Sequence, residues 1–169
     1  MVMNPETDSF DSIIQHRLEP EIYGFGMLDL FQKAVNRNQE IDYPVHIKLD
    51  TGMNRMGFMA SETETLCQEL SRLKNMRVSS VFSHLAGSDE EEFDDFTRSQ
   101  ITLFKQVSDD IIRTLGYPVI RHILNTSGIE RFPEAQFNMV RLGIGLYGIS
   151  SVDQRKLRNV STLKSTILQ

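Results

Sequence analysis

Cysteine, basic excess and long apolar runs are what this chain has least of. A single cysteine in 169 residues, Cys67, excludes an intrachain disulfide and leaves no thiolate cluster for a metal. It lies between Leu66 and Leu70 on a stretch of helical spacing, where a buried structural thiol is expected. No apolar run approaches the roughly 18 residues that a membrane-spanning helix needs. Met1–Phe10 has no basic segment followed by an apolar one, so a secretory leader is not expected and the cytoplasm is the expected location. Lysine and arginine number 18 against 23 aspartates and glutamates, a net charge of -5. With no basic stripe and no zinc-finger spacing to offset that balance, nucleic acid is not an expected partner. Low-complexity segments and exact internal repeats are also missing.

What is present is a globular composition, 40% hydrophobic and 24% charged, in a chain long enough to bury one real core. Its pattern alternates. Met1–Asn4 reads as a short strand ending at Pro5, Asp8–His16 as a short helix, and Leu18–Phe25 as a strand. From Met27 to Asn38, Leu28, Phe31, Ala34 and Val35 keep helical spacing; Val45, Ile47 and Leu49 then alternate as in a strand over Val45–Asp50. Ser61 and Glu64 have capping-box spacing and open a helix carrying Leu66, Leu70 and Leu73. Val78–Ala86 reads as a strand, and Asp94–Leu115 as the longest helix, stopped by Gly116 and Pro118. Arg121–Thr126 is a strand, Ser127–Arg131 a helical turn, Met139–Ile149 an apolar strand and loop, and Ser161–Gln169 a last strand. Strand–helix alternation without long linkers predicts an α/β protein with a parallel sheet. About six barrel-type strands fall short of a complete (β/α)8 barrel, which takes roughly 250 residues, so a partial barrel is expected.

Polar residues gather where four of these strands end: Lys48, Asp50 and Arg55; His84; Asn125 and Thr126; and Arg141 with Gly143 and Ile144. In a barrel the carboxyl ends of the strands open on one face, so residues scattered in sequence converge there. Taken singly, each has a plain structural explanation: a solvated lysine, a core histidine, a turn glycine. Their coincidence at four strand ends points to a site.

The runs His46-Ile-Lys-Leu-Asp-Thr-Gly-Met-Asn-Arg-Met-Gly57, Ser83-His-Leu-Ala86, His122-Ile-Leu-Asn-Thr126 and Phe137-Asn-Met-Val-Arg-Leu-Gly-Ile-Gly-Leu-Tyr-Gly148 together resemble the bacterial alanine racemases, pyridoxal phosphate enzymes built on a (β/α)8 barrel. The resemblance runs over nearly the whole chain. It implies that residues 1–150 supply the third to eighth barrel strands and that 151–169 lead into a C-terminal β domain. It implies L-alanine and D-alanine as the parent protein's substrates, peptidoglycan as the destination, and a homodimer.

The resemblance also implies site roles. Arg141 would hydrogen-bond the pyridine nitrogen of the cofactor; a guanidinium donates only and stays charged, so it would hold that nitrogen unprotonated. Gly143 and Ile144 would offer backbone donors to the phosphate, and Thr126, where the family usually has serine, a hydroxyl. His84 would sit beside the ring and Arg141. Arg55 would reach the substrate carboxylate and pair with Lys48, a lysine that many relatives carry as a carbamate. No metal is implied.

The family's cofactor-bearing lysine lies in a Lys-Ala-Asn-Ala-Tyr-Gly type of motif on the first barrel strand, and its opposing tyrosine in the C-terminal domain. Neither is found in these residues, so the segment alone is expected to be inactive and, with open sheet edges, to self-associate. A broader amino-acid racemase and a non-catalytic module holding the cofactor or a phosphate both stay open at this point.

Overall fold

Alternating apolar residues build the strands that carry the site. The computed structural model describes residues 1–166. Strands β1 (Glu21–Ile22), β2 (Tyr43–Asp50), β4 (Met76–Phe82) and β5 (Ile120–His122) form a parallel sheet in the order β1-β2-β4-β5, and β3 (Phe58–Met59) pairs with the end of β2. Between them run α1 (Phe10–Gln15), α2 (Phe25–Arg37), α3 (Thr63–Ser71), α4 (Asp94–Leu115) and α5 (Thr126–Arg131). Two further segments extend the sheet by a pair of backbone bonds each. Val2 lies along β1, donating to Glu19 O at 2.7 Å and accepting from Glu21 N at 2.9 Å; Met139 and Arg141 lie along β5, donating to Arg121 O and Leu124 O at 3.3 and 3.0 Å. This is the parallel, partial (β/α)8 barrel that the alternation predicts.

Odd and even residues of β2 face different surroundings, as a strand's period of two requires. Val45, Ile47 and Leu49 enter the hydrophobic core with Phe31 and Val35 of α2 and Phe104 and Ile111 of α4. Each such side chain contributes roughly 1.5–3 kcal/mol by leaving water, and this outer layer fixes the strands on which the site is mounted. His46, Lys48 and Asp50 point the other way. A register shift between β2 and β4 pairs Val45 with Val78 but His46 with Ser80, and so re-aims the inner residues. Helix α4 stops where Gly116 adopts φ 70° and its N–H caps Ile112 O, as the Gly116–Pro118 pair predicts.

Several boundaries differ from those expected. The strand expected over Met1–Asn4 is one bridging residue, Val2, and Leu18–Phe25 shrinks to Glu21–Ile22 because Phe25 already begins α2. The capping box falls two residues early: Glu62, not Glu64, reaches back, accepting from Met59 N at 2.7 Å, because a 3-10 turn over Ala60–Glu62 precedes α3. The strand expected to Ala86 ends at Phe82. Met139–Ile149 contributes only its first residues to the sheet before a 3-10 turn at Ile144–Tyr147. Ser161–Thr166 forms no strand, and 167–169, the rest of that expected element, lie outside the described residues. Cys67 is half-buried on α3. No helix among the described residues is long and apolar enough to cross a membrane.

Candidate active site

The site is built around a guanidinium folded inward over the strand ends. Arg141 Nη2 donates to Ser83 O at 2.6 Å and lies 3.2 Å from His84 Nδ1. Its Nη1 donates to His122 Nδ1 and, at 3.3 Å, to His122 O. Ser83 O, just past β4, is taken by this donor-only side chain, which also shares His122 O with the Ser83 N–H. Arg141 thereby joins two strand ends, one 58 and the other 19 residues away in sequence.

That contact sets the protonation of everything below it. Arg141 has only protons to give, so His122 Nδ1 must accept and Nε2 must carry the hydrogen, which it offers to Ser80 Oγ at 3.2 Å. Ser80 Oγ lies 2.6 Å from His46 Nδ1, and His46 Nε2 lies 2.8 Å from a Glu19 carboxylate oxygen. With a donor-only group at one end and an acceptor-only group at the other, the line Arg141–His122–Ser80–His46–Glu19 has one consistent direction. Burial, then the Arg141 charge, then His46 pull His122 down to about 3. Burial, then Arg141, Arg55 and Lys48, pull His84 down to about 4. Both rings are neutral near pH 7. Burial also lowers Arg141 to about 10, opposed by the Glu21 carboxylate, and it remains a cation at neutral pH. Phe82 lies in this cluster, stacked on His122 at 5.0 Å between centroids and with Arg141 5.4 Å from its ring centre.

Beside the guanidinium, the turn after Arg141 wraps an oxygen. Thr126 Oγ1 accepts the N–H groups of both Gly143 and Gly145 at 3.1 Å. A Cβ on Gly145 would come within 2.7 Å of Thr126 Cγ2, so only glycine allows this approach. Thr126 opens α5, whose cap is Asn125: its Oδ1 accepts Gly128 N at 2.9 Å and Ser88 Oγ at 2.8 Å. The loop after β4 is pinned from behind by Gln100 of α4, which accepts Ala86 N at 3.0 Å and donates to His84 O at 3.3 Å.

The structure thus brings Arg141, His84, Thr126, Gly143 and Ile144 to one mouth. Lys48 lies deeper, 3% exposed, with its Nζ 3.4 Å from Glu21. Arg55 stands exposed on the loop after β2 and makes no ion pair among the described residues. Its charge still reaches His84. Sequence reasoning overlooked Glu21, Ser80 and His122 as site residues. A glutamate inside an apolar strand and a histidine at a strand end were the available signals. A surface concavity at the amino end of the sheet, lined by Leu70, Lys74, Arg77 and Tyr117, holds none of these groups.

A parallel barrel segment with an arginine-capped cluster at its strand ends defines the class: an α/β barrel with its candidate site on the carboxyl face. Residues 1–151 match the family described as alanine racemase, N-terminal domain, and the chain belongs to that family. It is 32% identical over 164 residues to alanine racemase 1 of Clostridium acetobutylicum, covering 94% of this chain and 42% of that protein. It is 33% identical over 172 residues to the alanine racemase of Syntrophobacter fumaroxidans, covering 99% and 45%. Among solved structures, the alanine racemase of Clostridium difficile 630 in complex with cycloserine superposes with a TM-score of 0.82 at 26% identity, over 93% of this chain and 44% of that one. The chain therefore spans less than half the length of these relatives.

Proposed function

We propose that the whole protein to which this chain belongs is a pyridoxal phosphate-dependent alanine racemase, interconverting L- and D-alanine in the cytoplasm for peptidoglycan synthesis. The observation that carries this is the Arg141 clamp beside the Thr126–Gly143–Gly145 turn. The turn is already organised around an acceptor oxygen, and a phosphate oxygen is an acceptor of the same kind, so Thr126, Gly143 and Ile144 fit the phosphate end of the cofactor. Arg141 offers N–H donors that it does not surrender near neutral pH, which suits an unprotonated ring nitrogen. Pyridoxal phosphate supplies an electron sink for the substrate α-carbon, and an unprotonated ring is a weaker sink than a protonated one. His84, held neutral by burial and then by the three nearby cations, orients Arg141 without competing for its charge. Arg55, exposed on the loop after β2, would meet the alanine carboxylate.

The two groups that would remove and return the α-proton come, on this reading, from outside residues 1–169, and the segment alone is inactive. Residues 1–150 are the barrel part and 151–169 the link to a second domain. Leu142, Ile144, Leu146, Tyr147 and Ile149 are exposed in one run, which supports association with a second copy or with the rest of the protein.

The test is D-alanine formation from L-alanine by the full-length protein loaded with pyridoxal phosphate, with L-serine as a parallel substrate and residues 1–169 as a control. Racemisation of alanine by the full chain and none by the segment is expected. A full-length protein that binds the cofactor yet racemises no amino acid would be the non-catalytic module instead, and would overturn the proposal.

A further inference from the structure

Glu21 is the one buried carboxylate in the core of the described residues, with no exposed surface. Both of its oxygens are engaged. Oε1 accepts the Asn4 N–H at 2.8 Å and Oε2 faces Lys48 Nζ at 3.4 Å. The Lys48 side chain is itself 4% exposed. Its ammonium also lies 5.8 Å from the centre of the Phe82 ring, whose π face attracts cations and repels anions. The Glu21 carboxylate and the Phe82 face both favour a positive group at Lys48 Nζ.

Carbamylation would reverse that arrangement. The neutral amine would form an N–C bond to carbon dioxide and release a proton, leaving R–NH–COO⁻ where R–NH₃⁺ had been. The buried pair would change from net zero to two anions in contact, with no cation taking the place of the one consumed. Charges of one sign at such separations do not both persist in a buried site. Arg55, the natural partner of a carbamate, is exposed on its loop and is not paired with Lys48. The three added heavy atoms would also have to enter a packed interior.

We propose that Lys48 is an unmodified ammonium and that Glu21 supplies the anion that holds it. Glu21 is a positioning residue: it acts on the site through Lys48. The consequence is electrostatic. Lys48, Arg55 and Arg141 then present three positive charges around the mouth, which favours an anionic ligand. A carbamate at Lys48 would remove one of those cations and add an anion beside His84.

The test does not depend on racemase activity. The full-length protein is incubated with ¹³C-bicarbonate in mildly alkaline buffer and examined by ¹³C NMR for a protein-bound carbamate, beside Glu21→Gln, which keeps an acceptor for Asn4 N–H but loses the charge. The wild type is expected to show no carbamate resonance. Glu21→Gln is expected to gain one, and Glu21→Gln with Lys48→Arg to lose it again. A wild-type resonance that vanishes in Lys48→Arg would overturn the proposal, and that comparison stands even where Glu21→Gln fails to fold. Blank spectra in both wild type and a folded Glu21→Gln would overturn Glu21 as the group that excludes carbon dioxide.

Discussion

Lowering the pH from 7 to 5 should destabilise this protein through His122 before most carboxylates titrate. The ring is 1% exposed, accepts from Arg141 on one nitrogen and donates to Ser80 from the other, so a second proton has no place to go. Its value near 3 lies well below the roughly 6.5 of a histidine in an unfolded chain. Between those two values the unfolded chain binds a proton that the native state refuses. Stability from this group is therefore complete above about pH 6.5 and drains as pH falls toward 3. At pH 5 the loss is about 2 kcal/mol, from about 1.4 kcal/mol per unit over about one and a half units. With a urea m-value of about 2 kcal/mol/M, the midpoint moves down by about 1 M. Urea unfolding at pH 7 and pH 5 measures this, with His122→Asn as the comparison because asparagine keeps one acceptor and one donor but does not titrate. The wild type should lose about 2 kcal/mol more than the variant over that interval. Equal losses would refute the buried, neutral histidine.

Three further outcomes follow from contacts in the same region. Thr126→Val removes the oxygen that accepts from Gly143 and Gly145; stranding two N–H groups should cost roughly 2–4 kcal/mol and weaken cofactor binding, read by urea unfolding and by pyridoxal phosphate titration of the full-length protein. Gly57 has φ 132°, and an added Cβ would lie 2.5 Å from Asp50 N, so Gly57→Ala should cost roughly 3 kcal/mol or more; an unchanged melting temperature would contradict that geometry. Lys48→Met leaves Glu21 buried and unpaired and should cost roughly 3–5 kcal/mol, while Lys48→Met with Glu21→Met should recover most of that loss, a double-mutant cycle that additive energies would contradict.

The helices were the most legible part of the fold. Helix α4 carries its own stop in Gly116, and α2 its own stripe in Leu28, Phe31, Ala34 and Val35; both depend on neighbours within a turn or two. Strand ends were less legible. Ser83 still donates to His122 O, but Arg141 takes its carbonyl and Gln100 that of His84, so the chain leaves the ladder before Ala86. The capping box moved because two acidic residues, Glu62 and Glu64, compete for one helix start, and only the 3-10 turn before α3 chooses between them.

By itself the sequence determined which residues face inward on each strand and which motifs stand at the strand ends: His84, Thr126, Arg141 and Gly143 were visible as candidate site residues from their coincidence at strand ends, and their roles from the family resemblance. Tertiary structure decided who meets whom. Alternation gives a residue its face but not its partner across the barrel, because the offset between parallel strands is set by crossover length and by the register shift at Val45 and His46. The β1–β2 register, with Glu21 beside His46, brings Glu21 to Lys48, while the shifted β2–β4 register sets Ser80 beside His46 in the directed chain with His122; Arg141 lies across strand ends it could not have been assigned to from its own neighbourhood.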